Sequence, residues 1–571
     1  MRRGGGQDGR VLDVLALSYQ DLPYQLKACF LYLGNYPEDF NIHAERLYQL
    51  WIAEGFISQE ERGEDETMMD VAERYMGELA QRCMVQVELQ SEWDYSVIRE
   101  SKGFRCCRLH DLMRDLCLSK AKEENFHQVI EYGHINQQGH PSSSSMVTSI
   151  GGNTCSKIQR LVINLDKRNS NFSLFEQEER ARHIRKILFF IGDYCDYLFR
   201  EQLTRFSKES KFLRVKNFDG NSFAETEGTK ELPKEIGNLI LLRYLGLDRT
   251  GFTKLPSSIG NLRHLQTLDL RTSYGDKIVS VPNVLWKMEG LVHLYLPYNY
   301  FCTEGKLRVD GLRNLETLQN LDSDKVNVTD LFRLPNLRRL ANVRVRGKLE
   351  DLTMVNNYIL NSNQRLQHTS IYIQNCDLCS EDGLSLLRQL LGCICLVRLD
   401  IYGIIGKLPQ YEHQLLCPSL TYLWLWDSEL EEDPMETLEK LPNLRTLMLY
   451  KAFVGKEMVC SAHGFPRLNN LILNSSKIEE WRVDDGAMPK LSSLFITSCK
   501  KLKMLPNGLR FIPTLQELEI RYMPEQSLTG FQWSMAKKER IFTNLAASLP
   551  FILEVKQFLF LDESKREQLE F

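Results

Sequence analysis

The sequence predicts a multidomain chain in which a helix-rich winged-helix domain precedes an α/β leucine-rich-repeat solenoid with a curved parallel sheet and an irregular convex side. Two observations predict this. The pattern L-x-x-L-x-(L/I) recurs between Leu396 and Ile520 in steps of 24, 24, 24, 23 and 24 residues. Repeats of this period each add one short strand to a concave sheet, and neighbours must stack because one repeat cannot bury its own leucines. Before the repeats, helical segments and two alternating strands lie between Val11 and Phe126.

The winged-helix domain is predicted over residues 11–126, after a Gly- and Arg-rich tail at residues 1–10. Its helices are predicted from apolar residues at helical spacing and from end signals. The anchors of the four helices are Val11, Leu15 and Tyr19; Leu26, Phe30 and Leu33 after Pro23; Leu47, Leu50 and Trp51 before Gly55; and Val71, Tyr75 and Leu79 between Thr67 and Arg82. Residues 85–89 then alternate between apolar and polar, and residues 103–108 can return as the partner strand. Helices followed by such a two-stranded wing indicate a winged-helix domain.

The rest of the chain is divided by composition and by repeat spacing. Residues 127–154 are predicted to be a linker, because residues 133–145 are polar, rich in Gly and Ser, and too poor in apolar groups to pack. The solenoid is predicted over residues 155–525, with longer and irregular repeats at about 312–391. Residues 526–571 include a strongly apolar stretch and are predicted to be a divergent tail or a cap for the open end of the solenoid.

Composition argues against several classes of protein. A net charge of -4 on 571 residues is unlike that of a general nucleic-acid binder. We find no secretory signal and no run of about 18 apolar residues that could span a membrane, so the expected compartment is the cytoplasm. The 15 cysteines are then expected to be reduced thiols. Cys376 and Cys379 have metal-ligand spacing, but no second pair completes a zinc site, so we predict no metal. Cys376 and Cys499 instead stand where such repeats favour a small residue facing the turn.

Several motifs of the first domain, in order, resemble those of a known family. They are Leu15–Pro23, Lys27–Leu33, Tyr36–Phe40, Leu50–Phe56 and Leu109–Leu116. From residue 11 to about residue 525 the chain resembles plant disease-resistance proteins of the coiled-coil, nucleotide-binding (NB-ARC), leucine-rich-repeat type. The resemblance implies an intracellular innate-immunity receptor for plant defence. Such a receptor recognises a pathogen effector directly or through a guarded host protein, and it switches from an ADP-bound resting state to an ATP-bound oligomer.

The resemblance also points to a nucleotide-sensing position. The family has a Met-His-Asp motif whose histidine contacts the ADP phosphate, and its counterparts here are Leu109, His110 and Asp111. His110 and Asp111 directly precede an amphipathic helix, and a helix N-terminus favours an anion. A purely structural role is also open, in which Asp111 caps that helix and His110 packs beside it.

One departure from the family is that the sequence contains no G-x-x-x-x-G-K-[S/T] motif. This P-loop would supply the backbone cradle, the phosphate-binding lysine and the magnesium-binding hydroxyl. We therefore expect the coiled coil and the ATPase core to be missing from this chain, which would not be an enzyme. We expect no ATPase activity and no tight ADP binding by the chain alone. ADP or ATP is implied only for the complete family architecture, in which His110 would be one wall of the pocket.

The regular repeats predict a partner-binding surface. Side chains that alternate with the strand leucines point outward from the sheet. Aligning the repeats groups six apolar side chains, which we call the aromatic face and expect to be exposed: Trp424, Met448, Ile472 and Phe495 in one row, with Trp426 and Tyr450 beside them. An exposed stripe of this kind suits an effector or a guarded host protein. The alternative is that these residues pack on one another or are covered by the winged-helix domain, as autoinhibition would require.

Three classes of function follow from these features. The first is a defence-receptor fragment, whose solenoid recognises an effector while the winged-helix domain contacts nucleotide-binding domains within one molecule or in trans. A related alternative is a non-signalling repeat protein that regulates a full-length receptor. The second class is a winged-helix DNA-binding regulator, but the helix Ala44–Glu54 offers only Arg46 as a base-reading cation. The third is an enzyme, and no hydrolase or metalloprotease motif supports it.

Overall fold

The structure is a computed structural model, and it describes residues 15–37, 40–64, 66–89, 104–132, 159–165, 184–191, 212–220, 231–247, 252–271, 278–362, 365–409, 417–474, 477–523 and 541–543. The predicted tail at residues 1–10, positions 133–154 of the predicted linker, and residues 526–571 apart from 541–543 lie outside these ranges. The chain divides into two compact units. The first is Met1–Gly403 with Cys417–Leu420, and the second is Ile404–Leu416 with Thr421–Phe571.

The N-terminal part of the first unit is a winged-helix domain, as the sequence predicts. Its helices are residues 15–20, α1 (Tyr24–Leu33), α2 (Ala44–Glu54), α3 (Met68–Gln81) and α4 (Asp111–Glu123). Its wing is an antiparallel sheet in the order β1-β3-β2, formed by β1 (Ile42–His43), β2 (Gln86–Leu89) and β3 (Phe104–Arg108). The third strand, β1, is absent from the sequence prediction because a strand of two residues has no periodicity to detect.

The ends of the helices follow from local chemistry. Helix α2 stops at Gly55, which adopts the left-handed conformation with φ of 85° and donates its N–H to Trp51 and Ile52 carbonyls. Helix α3 begins with a capping box. The Asp70 N–H donates to the Thr67 hydroxyl at 3.2 Å, and the Thr67 N–H donates to the Asp70 carboxylate at 2.7 Å. These signals fix the end of α2 and the start of α3.

The rest of the first unit is a parallel sheet in which each strand pairs with the next repeat. Its strands are β4 (Gln128–Tyr132), β5 (Arg160–Leu165), β6 (Lys186–Ile191), β7 (Val215–Gly220), β8 (Tyr244–Gly246), β9 (Thr267–Asp269), β11 (His293–Tyr295), β13 (Thr317–Gln319), β14 (Arg339–Arg346), β15 (His368–Gln374) and β16 (Leu396–Tyr402). The sheet begins at β4, inside the segment predicted to be a linker. The polar Gly/Ser stretch that motivates that prediction starts only at residue 133.

The convex side of the first unit carries short 3-10 turns and two longer helices. Residues Lys234–Asn238, Ser257–Asn261, Leu285–Lys287 and Val328–Arg333 form the turns, β10 (Val279–Ser280) pairs with β12 (Tyr300–Phe301), and α5 (Leu349–Leu360) and α6 (Glu381–Leu391) are the helices. The helices fall where the sequence predicts longer, irregular repeats. A longer connection between strands leaves room for a helix in place of a 3-10 turn.

The second unit is a parallel sheet built from the most regular repeats. Its strands are β17 (Tyr422–Trp426), β18 (Thr446–Tyr450), β20 (Asn470–Asn474), β22 (Ser493–Thr497), β23 (Glu517–Arg521) and β24 (Ile541–Thr543), with a second pair of β19 (Glu457–Cys460) and β21 (Glu480–Val483). Helix α7 (Met435–Leu438) and the 3-10 turn Asn507–Phe511 lie between strands. Equivalent repeat leucines such as Leu423, Leu447 and Leu471 are paired in register and at most 1% exposed. They form the interior that single repeats lack.

Candidate functional site

The winged-helix domain packs on the outward face of the repeat sheet within the first unit. Four residues of that face belong to the same hydrophobic core as the helices, namely Val162, Leu188, Val215 and Tyr244, each at most 1% exposed. They come from β5, β6, β7 and β8 at alternating positions, so their neighbours along each strand point into the solenoid. Domain and sheet therefore share one core, and α2 buries nine of its eleven residues.

The first turn of α2 is held by a buried charge cluster. The Glu45 carboxylate accepts a hydrogen bond from Arg339 Nη1 at 2.6 Å and another from the Tyr295 hydroxyl at 2.9 Å. Gln49, one turn later, donates to the same hydroxyl at 2.5 Å. The Glu45 and Arg339 side chains are each 11% exposed. Side chains from two strands, β11 and β14, thus converge on one carboxylate of α2.

Burial and neighbouring charges shift the pKa values of the residues in this cluster. Burial and then the Glu45 charge raise the pKa of Tyr295 well above its ordinary value, so its hydroxyl stays a donor. Burial opposes the charge on Arg339, but Glu45 and Tyr295 together raise the pKa of Arg339. Arg271 lies 4.5 Å from the centre of the Tyr295 ring and binds Asp269 through two hydrogen bonds of 2.9 and 2.6 Å. The Tyr295 side chain is therefore held at its hydroxyl and by the cation over its ring.

The C-terminal end of α2 makes a second ion pair. Arg160 at the start of β5 donates from Nε to Glu54 at 3.0 Å, with side-chain exposures of 19% and 3%. Its guanidinium also lies 4.5 Å from the centre of the Phe126 ring and 5.3 Å from that of Phe56. A planar guanidinium can pair with a carboxylate and stack on aromatic rings at once, which an ammonium group cannot do as well.

A fully buried lysine lies beneath the same end of the helical domain. Lys186 Nζ is 3.4 Å from the centre of the Tyr32 ring on α1. Burial lowers the pKa of Lys186 well below its ordinary value, while the Glu54 charge opposes this and Arg160 adds to it. His127 is close by, and burial, Lys186 and Arg160 lower its pKa to about 3. The imidazole is therefore neutral at physiological pH, which limits the number of positive charges in this dry region.

A cleft of about 790 Å³ opens beside the docked helix. Gln49 and Ile52 of α2 line one wall, and the residues just before strands β13 and β14, Glu316 and Arg338, line the other. Burial raises the pKa of Glu316 although Arg338 opposes the shift. The two ion pairs of α2 thus lie at its ends, and this cleft runs along its side.

His110 and Asp111 lie at the start of α4, as predicted. His110 is the N-cap residue, its side chain makes no capping hydrogen bond, and its carbonyl accepts the Arg114 N–H at 2.8 Å. Asp111 is in the first turn, and both side chains are exposed, whereas Leu109 is buried. The structural alternative, with Asp111 as the cap and His110 packed beside the helix, is not what the structure contains. An exposed imidazole at a helix N-terminus can approach an anion held by another domain.

The aromatic face of the second unit has the predicted register. Pairing of β17, β18, β20 and β22 places the four row residues side by side, in the order Trp424, Met448, Ile472 and Phe495, with Glu519 next. The ring of Trp426 lies 5.2 Å from that of Trp424 and 4.4 Å from that of Tyr450. The row ends in the ion pair of Glu519 with Arg521.

The expectation that the whole aromatic face is exposed is wrong for three of its six members. Trp424, Met448 and Ile472 are only 9%, 8% and 5% exposed and form a cluster with their neighbours. Adjacent strands lie about 4.8 Å apart, so wide side chains at one register cover each other. Trp426, Tyr450 and Phe495 remain partly exposed. Within the described residues, the buried Trp424 Nε1 has no hydrogen-bond acceptor.

The charged contacts of α2 are absent from the sequence-based prediction. Glu45 and Arg339 are separated by 294 residues, and Glu54 and Arg160 by 106. One sequence signal for these contacts is that two carboxylates, Glu45 and Glu54, stand among the apolar residues of a single helix. Another is the cation at the first position of β5, β6 and β14, where Arg160, Lys186 and Arg339 begin their strands.

Two further sequence features can be located. Cys376 and Cys499 lie just after β15 and β22, and their thiols contact the carbonyls of Gln374 and Thr497 at 3.8 and 3.6 Å. In the part of the chain that the structure describes, no three His, Cys, Asp or Glu residues are arranged to hold a metal ion. None of the helices in the described ranges combines the length and the apolar character needed to cross a membrane.

A winged-helix domain seated on the outward face of a leucine-rich-repeat sheet defines the class of protein. The family model described as "Leucine-rich repeat region" matches residues 197–543, and that described as "Disease resistance protein Winged helix domain" matches residues 36–117. The chain belongs to the leucine-rich-repeat disease resistance proteins of plants.

Curated relatives from Arabidopsis thaliana agree with this family. Disease resistance RPP8-like protein 3 is 35% identical over 562 residues, covering 98% of this chain and 56% of the relative. Disease resistance protein RPP8 is 36% identical over 519 residues, covering 90% of this chain and 52% of the relative. Another Arabidopsis disease resistance protein is 38% identical over 535 residues, covering 89% of this chain and 50% of the relative. The chain thus spans about half the length of the curated relatives that it matches.

Proposed function

We propose that the chain is the recognition and control part of a cytoplasmic plant immune receptor, and that it acts by holding its winged-helix domain on the repeat sheet until a partner binds. The observation that carries this proposal is the seating of α2. Its ends are fixed by two carboxylates, Glu45 and Glu54, which meet cations from widely separated repeats. A contact made of buried ion pairs is specific in register, and it is costly to break on one side only.

The second element of the proposal is recognition by the aromatic face. Trp426, Tyr450 and Phe495 are partly exposed around a buried cluster, an arrangement that resembles a hot spot with a dry centre. The buried indole N–H of Trp424 lacks an acceptor among the described residues. Because that nitrogen is buried, a partner would contact the partly exposed Trp426, Tyr450 and Phe495, and Trp424 would support them from beneath. The proposed partner is a pathogen effector or a guarded host protein.

The third element concerns the nucleotide. The resemblance of Leu109, His110 and Asp111 to the family motif supports contact between His110 and the phosphate of ADP held by a nucleotide-binding domain. The exposed imidazole at the N-terminus of α4, a helix of 13 residues, is placed to make such a contact. This domain would be part of the same receptor or would bind in trans, as in the alternative where the chain regulates a full-length relative.

The DNA-binding alternative is disfavoured by the burial of its reading helix. A winged-helix protein that reads DNA inserts an exposed helix into the major groove. Here α2 buries nine of eleven residues. Its one cation, Arg46, lies close enough to lower the pKa of Asp269.

A charge reversal tests the seating of α2. Glu45→Arg places a cation against Arg339, so hydrogen exchange measured by mass spectrometry is expected to speed up in α2 and in β14. Arg339→Glu alone should do the same. The double variant again pairs opposite charges, with the cation at residue 45 and the carboxylate at residue 339. Hydrogen exchange in its α2 and β14 should return towards the wild-type rate.

The matched control is Glu78→Arg, which breaks an exposed pair with Arg82 at 3.0 Å on α3. It should leave the exchange of α2 unchanged. Fast exchange of α2 in the wild-type chain, or equal rates in all variants, would reject the seated state. The immune role is tested separately: disrupting the gene in its source plant should remove resistance to at least one isolate in a pathogen panel.

A further inference from the structure

A pair of cysteines in the first unit lies in direct contact. Cys393 and Cys395 follow α6 and have their sulfur atoms 3.3 Å apart. They belong to the tight turn that leads into β16, in which the Leu396 N–H donates to the Cys393 carbonyl at 3.4 Å. A turn of this kind brings alternate residues close together, so both thiols can be on one side. Both are free thiols in the structure.

The pair is buried but close to the surface. Cys393 and Cys395 are 4% and 7% exposed, while Ile394 between them is 54% exposed. Only one turn of backbone therefore separates the two thiols from a small neutral oxidant in solvent. A third cysteine, Cys417, lies beside the pair, but its thiol donates to the Cys393 carbonyl at 2.6 Å and not to either sulfur.

The thiols also influence each other's ionisation. The Cys395 thiol can donate a hydrogen bond to a Cys393 thiolate, and this lowers the pKa of Cys393 despite its burial. The same bond raises the pKa of Cys395. The pair thus loses its first proton more readily than a lone buried thiol does, and its second less readily. One nucleophilic thiolate beside one thiol is the arrangement found in reactive dithiols.

We propose that Cys393 and Cys395 form a redox-modification site, at which hydrogen peroxide or a similar peroxide oxidises the dithiol reversibly to a disulfide. In the first step the Cys393 thiolate attacks one oxygen of hydrogen peroxide, an S–O bond forms and the O–O bond breaks. The departing hydroxide takes up the proton that Cys393 released and leaves as water. Sulfur is oxidised to sulfenic acid and the peroxide oxygen is reduced. The Cys395 sulfur then attacks the sulfenic sulfur, its proton goes to the departing hydroxyl, and water leaves. In total, two thiols and one peroxide give one disulfide and two water molecules.

The resulting bond would be a labile one. It closes a loop with a single intervening residue, so it removes little entropy from the unfolded chain and is not a structural staple. Bridges in strained small rings are readily reduced by cellular thiols. The disulfide would also stiffen the turn next to Thr369, whose N–H donates to the Cys395 carbonyl at 3.0 Å. This site is independent of the recognition role proposed above.

A peptide-mapping experiment on the full chain tests the proposal. The chain is treated with hydrogen peroxide at near-equimolar amounts, remaining thiols are blocked under denaturing conditions, and trypsin is added. Cleavage after Arg388 and Arg398 gives peptide 389–398, which contains Cys393 and Cys395 and no other cysteine. The expected product is this peptide without blocking groups and lighter by two hydrogen atoms. Dithiothreitol added before blocking should return it to the doubly blocked form.

Controls distinguish the pair from other thiols. Cys417→Ser should leave formation of the bridged peptide unchanged, whereas Cys395→Ser should abolish it. The exposed thiols of Cys83 and Cys379 serve as internal references in every sample. The proposal fails if peptide 389–398 stays doubly blocked after those references are oxidised. It also fails if Cys393 bridges to Cys417, or if oxidation goes directly to sulfinic acid.

Discussion

At the scale of single residues, Tyr295 is the point where the repeat sheet holds the winged-helix domain most directly. Its hydroxyl donates to Glu45 and accepts from Gln49. Tyr295→Phe keeps the ring and its contact with Arg271 but removes both bonds. Because one of them involves a charged group, the seating of α2 should weaken by about 1.5–3 kcal/mol. Native-state hydrogen exchange of α2 measures this loss.

The matched control for that substitution is Tyr300→Phe. Tyr300 is equally buried, but its hydroxyl contacts Asn320 and Asp322 inside the solenoid. Exchange in α2 should be unaffected by this variant, while exchange near β12 should rise. If the two variants have the same effect on α2, the hydroxyl of Tyr295 has no specific role in the seating.

A second residue-scale prediction concerns Lys216, which is fully buried in β7 at a register occupied by Ile187 and Leu245 in adjacent strands. Burial lowers its pKa to about 7. In the unfolded chain the pKa is near 10.4. The burial cost is thus complete below about pH 7, decreases as pH rises, and disappears above about pH 10.

Lys216→Met tests this linkage. Removing the titrating group should stabilise the first unit at pH 7 by as much as about 4 kcal/mol, and the gain should shrink steadily towards pH 10. Thermal unfolding of both chains at a series of pH values gives the difference. A gain that does not depend on pH would mean that methionine improves packing and that the charge is irrelevant.

At the scale of elements, the convex turns explain why the sequence repeats Ile-Gly-Asn-Leu at residues 236–239 and 259–262. A Cβ at Gly237 would lie 2.4 Å from the Ser258 carbonyl oxygen, which is backbone of the next turn. A Cβ at Gly260 would first meet the Val284 side chain at 3.0 Å. The first distance is a severe clash with backbone, whereas the second is only a few tenths of an ångström too close, so a small shift of the neighbouring turn would relieve it.

Gly237→Ala is therefore expected to cost about 1–3 kcal/mol, the usual range for overpacking, and Gly260→Ala clearly less. Melting temperatures of the two single variants, compared with the unmodified chain, provide the ranking. The reverse order would contradict the view that close backbone approach between stacked turns selects glycine at residue 237.

The helices and strands also differ in how well the sequence predicts them. Helices α1 to α4, the two longer wing strands and the regular repeats are predictable because periodicity, caps and repeat spacing are local signals. Strand β7 lies inside the predicted solenoid, but its repeat pattern is weak because Lys216 stands at the position where the pattern requires a leucine. The seating of α2 is missed for another reason: Glu45 and Arg339 are 294 residues apart, and no local pattern reports such a pair. Likewise, the register of the aromatic face is predictable, whereas the sequence leaves open how far its side chains bury one another.

At the scale of the whole molecule, the proposal requires a nucleotide-binding part that works together with this chain. The chain spans about half the length of the curated relatives that it matches. The role proposed for His110, contact with the phosphate of ADP, needs a nucleotide-binding domain. We predict that the chain binds in trans to the remaining half of the RPP8-like relative, and more tightly with ADP than without it. Isothermal titration of one half into the other, with and without ADP, measures both values.

The variant His110→Ala isolates the nucleotide contribution. Because the imidazole is exposed at the N-terminus of α4, its loss should leave the fold intact. It should remove only the ADP-dependent part of the affinity. If a charge-assisted hydrogen bond is lost, the affinity in the presence of ADP should fall at least about tenfold. Arg82→Ala, which changes another exposed side chain of the same domain, is the control and should have no effect. Binding that is absent with and without ADP would contradict assembly in trans. ADP dependence that survives in His110→Ala would assign nucleotide sensing to another residue.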